Sequence, residues 1–176
     1  MSSTPNSDKK DGSVEICSEF IRMAKSPFRF RFYLLLKLPA AFLAGLGVRQ
    51  LTPQSSSVYL RYRWLTRNPF KSTYFASLSM AAEMSTGLLC MMHVRATGRP
   101  VSMLVASLEA NFHKKAVGKT IFTCTDGDEI ARVVQSATAA GAAQIFRSRA
   151  LGVDEAGEAV AEFFITWSFR LREKTA

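Results

Sequence analysis

The stretch from Thr73 to Met92 constrains this chain more than any other. Ala76, Leu78, Met80, Ala81, Met84, Leu88, Leu89, Met91 and Met92 leave no polar stripe, and Glu83 is the one charged residue. Residues this apolar at this length predict an α-helix, and a helix apolar all round is buried on all sides. The rest of the chain must therefore wrap it. A bilayer could also bury it, but Glu83 and several Ser and Thr speak against hydrocarbon. A second apolar run, Phe32 to Leu46, is short and broken by Lys37 and Pro39. No transmembrane segment is expected.

The wrapping material reads as strands. From Ser57 to Trp64, Val58, Leu60, Tyr62 and Trp64 alternate with Tyr59, Arg61 and Arg63, the period of a half-buried strand. Thr66 to Lys71 is a loop containing Asn68-Pro69, with Ser72 or Thr73 as the cap of the apolar helix. Beyond Gly98-Arg99-Pro100, Val101 to His113 and Lys119 to Thr125 are strands. Asp126 to Ala139 is a helix with Asp126, Asp128 and Glu129 at its positive end. Ala142 to Val153 and Glu158 to Leu171 pair as a hairpin about Asp154 to Gly157. In its last strand Ala161, Phe163, Ile165, Trp167 and Phe169 share one face, and Glu162, Thr166, Ser168 and Arg170 the other.

Ahead of these lie a short amphipathic helix, Ile16 to Ala24, and a helical stretch, Arg29 to Leu46, that Pro39 kinks or splits. Residues 1–13 are polar and read as a disordered tail, leaving 14–176 as one domain, which the 176-residue length suits. A sheet with one apolar face must bury it against something, and the apolar helix is the element that can fill it. The fold class is thus α+β, a hotdog roll: five or six antiparallel strands curved around a long central helix, with extra N-terminal helices. An ordinary α+β sandwich is the alternative.

Cys17, Cys90 and Cys124 are odd in number and scattered, and His93 and His113 are far apart. A disulfide framework, a zinc site or another metal cluster is not expected; reduced thiols in the cytoplasm are. The net charge of +9 favours an anionic partner, whether polyphosphate, acidic lipid or nucleic acid, or simply a solvated basic surface.

Asn68-Pro69-Phe70-Lys71-Ser72-Thr73-Tyr74-Phe75-Ala76, with Glu83 further on, resembles the active-site segment of PaaI-like hotdog acyl-CoA thioesterases. In that family an Asn begins a loop, His-Gly-Gly opens the central helix, and an acid follows along it. Asn68 and Glu83 match; Tyr74-Phe75-Ala76 stand in place of His-Gly-Gly. The wider chain, Leu38 to Arg172, resembles an uncharacterised thioesterase-like branch of the superfamily, a domain of unknown function. It shares the N-terminal helices, the Pro39 to Val48 lead into the first strand and an aromatic at the His position. The resemblance implies an acyl-CoA or acyl-carrier thioester as partner and a homodimer, or a dimer of dimers, with sites between protomers. Coenzyme A enters as part of the substrate and no other cofactor is implied.

Glu83 carries a reading of its own. A lone buried carboxylate is costly unless hydrogen-bonded or neutral. It is either a general base with a raised pKa or a structural carboxylate paired with Arg63 or across an interface. Asn68 and Thr86 are the donors expected to hold it. Asn68 can equally be a turn former, Tyr74 core packing, and Thr86 a hydroxyl bonded to its own helix carbonyl. Backbone N–H groups of Phe75 and Ala76 are candidate oxyanion donors. Lys114, Lys115, Arg147 and Arg149 are candidate holders of the coenzyme A phosphates, or a solvated rim. Three functions follow: hydrolysis of an acyl thioester, acyl-CoA or lipid binding without turnover, and basic surface binding of nucleic acid or membrane through Arg29, Arg31 and Lys37. Nucleic acid is not expected, since no motif for it is present.

Overall fold

Helix α4 (Phe75–Ala96) lies where its composition requires, against the concave face of a curved sheet. The computed structural model describes residues 7–139 and 142–172, with side chains from residue 16 onward. Strands β1 (Gly47–Leu51), β2 (Ser56–Arg61), β3 (Val101–Phe112), β4 (Lys119–Cys124), β5 (Gln144–Val153) and β6 (Ala159–Leu171) form one antiparallel sheet in the order β1-β2-β4-β5-β6-β3. Helix α5 (Gly127–Ala139) packs beside α4 and against β5 and β6. The inward row of β6 is buried as its alternation predicts, from Ala161 to Phe169. Phe163 stacks edge-on against Phe122 of β4, and Trp167 Nε1 donates to Thr86 Oγ1 of α4 at 2.9 Å. This is the hotdog roll. Among the described residues α4 is the one helix long and apolar enough to cross a membrane, yet 67 % of its apolar window is buried inside the protein.

The N-terminal helices cover the other side of α4. Helix α1 (Ser7–Lys25) begins well before Ile16, inside the expected tail, of which residues 1–6 lie outside the described residues. Pro39 does split the next stretch, into α2 (Pro27–Lys37) and α3 (Pro39–Ala44). Phe30 and Leu34 of α2 are buried one helical turn apart.

Three local expectations need correction. The alternation from Ser57 to Trp64 overruns the strand, which ends at Arg61. The Thr66 hydroxyl donates to the Arg61 carbonyl at 2.8 Å and accepts the Arg63 N–H at 3.0 Å. That bends the chain into a short 3-10 turn, Trp64–Thr66, and leaves Trp64 72 % exposed. Strand β1, into which the Pro39 to Val48 segment leads, has no alternation to mark it, because its register shifts between Val48 and Gln50. Its Gly47 lies so close to Tyr59 that a Cβ would come within 2.5 Å of the ring. The cap of α4 is Tyr74, with no side-chain cap bond. Thr73 instead bonds the Ala116 carbonyl through both N–H and hydroxyl, and the Ser72 hydroxyl bonds Asn68 Oδ1.

Candidate functional site

Glu83 sits on α4 in an apolar cleft of about 60 Å³ with Tyr33, Leu34, Met84, Gly87, Met91 and Met103 among its walls. That volume holds a few waters. Burial pushes the carboxyl above its ordinary range. Among the described residues it has no hydrogen bond or ion pair, so the raised pKa is a desolvation effect with no offsetting donor. Gly87, one turn on, makes the space: a Cβ there would stand 3.2 Å from Glu83 Oε1 and 3.3 Å from the Trp167 ring. The Tyr33 hydroxyl also faces the cleft, 3.9 Å from Met91 Sδ.

The expected holders of Glu83 are engaged elsewhere. The Thr86 hydroxyl donates to the Glu83 backbone carbonyl at 3.0 Å and accepts from Trp167. Asn68 staples its own loop: Oδ1 accepts from the N–H groups of Phe70 and Ser72 and from the Ser72 hydroxyl, at 3.0–3.2 Å. It thereby holds Lys71 at φ 58°, the one positive φ outside glycine among the described residues. Arg63 is no partner either; it donates to the Gly45 carbonyl at 3.2 Å.

Tyr74, Phe75 and Asn68 border a second, open recess of about 590 Å³ that reaches Phe112, Lys114 and Lys115. The Phe75 and Ala76 N–H groups at the start of α4 make no hydrogen bond among the described residues; Ser77 and Leu78 take up the Tyr74 carbonyl. Phe75 and Glu83 are eight positions apart, about 12 Å along the axis. They also open into different recesses, Glu83 into the apolar cleft and Phe75 into the open one.

The four basic candidates do not form one free cluster. Lys114 Nζ pairs with Asp154 at 2.6 Å and lowers that carboxyl's pKa. Arg147 pairs with Glu109 at 2.8 Å and lies over the Phe164 ring, and Arg149 pairs with Glu162. Lys115 makes no ion pair among the described residues and donates to the Phe70 carbonyl at 3.3 Å. Burial raises the thiols of Cys90 and Cys124, the latter to about 11; neither is a thiolate at neutral pH.

Tyr33, Gly87 and Met103 are cleft residues that sequence reasoning missed. Gly87 carried a signal, a glycine in the middle of a buried helix. Tyr33 and Met103 reach Glu83 only through tertiary packing.

A family model for DUF4442, a domain of unknown function, matches residues 29–169. The chain belongs to that family. No curated protein matches it. Solved structures similar to this DUF4442 chain include a candidate thioesterase from Shewanella oneidensis, at 10 % identity and TM-score 0.69 over 87 % of this chain and 99 % of that one. A probable thioesterase of unknown function from Pseudomonas aeruginosa has 21 % identity and TM-score 0.67 over 85 % and 99 %. The PaaI protein of the Escherichia coli phenylacetic acid degradation operon has 11 % identity and TM-score 0.56 over 85 % and 96 %. At these identities the likeness is one of fold, and the fold is thioesterase-like.

Proposed function

We propose that this DUF4442 protein hydrolyses an acyl thioester, carried by coenzyme A or an acyl carrier, at a site shared between two copies of the chain. The observation that carries the reading is Glu83: a half-buried carboxylate with no hydrogen bond or ion pair among the described residues, in a water-sized apolar cleft on the central helix. It takes a proton from water as the water oxygen attacks the thioester carbonyl carbon. The Phe75 and Ala76 N–H groups of the second copy, at the positive end of α4, hold the oxyanion. The C–S bond then breaks, and Glu83 returns the proton to the leaving thiolate. Backbone N–H groups take the place of the missing His-Gly-Gly at the oxyanion, and a thioester is activated enough for one base and one oxyanion hole to cleave it.

Two features support a homodimer. The edge strand β3 offers unpaired backbone along its free side, and its inward residues Leu108 and Phe112 are 43 % and 51 % exposed. A second copy would cover both and bring the separated halves of the site together. Lys115, with Lys114, lies at the mouth of the recess beside Phe70 and is the better placed pair for the carrier's phosphates; Arg147 and Arg149 lie on the outer face. Three free thiols, two of them buried, suit a reducing cytoplasm.

The test is release of free thiol from short-, medium- and long-chain acyl-CoAs. Release that falls by about 10²–10⁴ in Glu83→Gln supports the proposal. Acyl-CoA binding without release by the wild-type protein would make it a carrier or sensor instead.

A further inference from the structure

Helix α2 is apolar on two sides. Phe30 and Leu34 face the protein and are buried. Leu35, Phe28, Phe32 and Leu36 fall within an arc of ~100° on the outside, and they are between 48 and 89 % exposed. Arg29 and Arg31 flank that arc, one on each side, and both are exposed. Leu43 of α3, 57 % exposed, adds to the same region, since Arg31 lies over the Phe42 ring and ties α2 to α3. Large apolar side chains in water, bordered by arginines, are what a helix lying in a membrane interface presents.

The charge of the chain selects the partner. From Phe20 to Ala82 there are ten Lys and Arg and no Asp or Glu, whereas the rest of the chain holds 13 against 14. The whole positive excess therefore sits in the segment that contains α2 and α3. Behind the exposed arc Lys25, Arg31, Arg61 and Arg63 line a recess of about 160 Å³. None of the four makes an ion pair among the described residues, unlike Lys114, Arg147 and Arg149. A second copy of the chain is a poor occupant of this face: a two-fold interface sets a patch against itself, here Arg29, Arg31 and Lys37 against the same cations, in a segment whose own sequence holds no Asp or Glu.

We infer that the outer face of α2 and α3 is a docking surface for an anionic lipid bilayer. Leu35, Phe28, Phe32, Leu36 and Leu43 enter the interface, Arg29 and Arg31 remain at headgroup level, and the recess takes a lipid phosphate. Helix α2 is also a wall of the Glu83 cleft, through Phe30, Tyr33 and Leu34. Docking thus sets the cleft beside the bilayer and favours a long acyl chain drawn from it; this last step rests on the thioesterase reading, and the docking does not.

The experiment is vesicle flotation of the full chain with phosphatidylcholine alone and with phosphatidylcholine mixed with phosphatidylserine. The protein should float with the mixed vesicles and far less with the neutral ones. The triple variant Phe28→Ser, Phe32→Ser, Leu36→Ser should bind at least roughly tenfold more weakly with an unchanged melting temperature. Arg29→Gln with Arg31→Gln should lose the preference for phosphatidylserine, while Arg132→Gln on the exposed face of α5 should change nothing. Failure of the wild-type chain to float overturns the inference. So does equal flotation of the serine variant. Light scattering in which the serine substitutions dissociate a stable oligomer, with no flotation, would assign the face to subunit contact and also overturn it. None of these readouts depends on thioester hydrolysis.

Discussion

Glu83 is half-buried with no donor to its carboxylate among the described residues, and that gives its titration a definite sign. An unfolded glutamate loses its proton near 4.5, whereas in the folded protein the carboxyl holds it to higher pH. Between those two values the native state binds more protons than the unfolded one, so stability falls as pH rises through the window and then levels off. Below the unfolded value that stability is present in full and no longer changes with pH. Glu83→Gln should flatten this slope and leave the protein as stable at neutral pH, or more so, because a carboxylate has left an apolar site. Hydrolysis by the wild type should rise across the same window, as the base must be ionised to act. Denaturation and thiol release measured at matched pH check both; a stability slope that persists in Glu83→Gln would assign it to another group. The basic residues separate in the same way. Lys114→Glu with Lys115→Glu should weaken coenzyme A binding, read by calorimetry. Arg147→Glu with Arg149→Glu should not, since both face Glu109 or Glu162 on the outer sheet. The reverse outcome would move the phosphate site to the outer face.

Among the elements, those whose pattern arises from packing were legible in the sequence. The inward row of β6 and the all-apolar α4 state their burial directly, and together they require a sheet around a helix. What escaped was set by single contacts between distant residues. Nothing in Trp64 says that the Thr66 hydroxyl will end β2 three residues early, and nothing in Gly47 announces its close approach to Tyr59. The site divided along the same line. Glu83 stood out because a charge in an apolar helix is visible from sequence. Its surroundings did not, because Tyr33 comes from α2 and Met103 from β3. Thr86 is the instructive case: its spacing from Glu83 suggested contact with the carboxylate, while the fold gives the hydroxyl to Trp167 and so ties α4 to β6. Thr86→Val keeps the shape but leaves the buried Trp167 N–H without an acceptor, at a cost of about 1–3 kcal/mol. Chemical denaturation should show that loss with kcat little changed. A fall in kcat without loss of stability would return Thr86 to the catalytic set.

At the scale of the whole molecule, the separation along α4 decides what can work. Phe75 and Glu83 lie about 12 Å apart on one rigid helix and line different recesses, so in the proposed site the base and the oxyanion donors come from different copies. Phe75→Pro tests this cleanly. Position 75 is the first of the helix, where proline is favoured, and Tyr74 before it has φ −62° and ψ 133°, the extended geometry a following proline prefers. The variant should fold with near wild-type stability while losing the Phe75 N–H, and hydrolysis should drop by about 10²–10³. Glu83→Gln should lose activity through the other half of the same site. When the two variants are mixed and allowed to exchange subunits, each mixed dimer holds one site with both defects and one with neither. Half the dimers are mixed at equal proportions, so about a quarter of wild-type activity should return. Mixing that restores nothing, although light scattering and mass labels show exchange, would mean that each chain works alone and that the shared site does not exist.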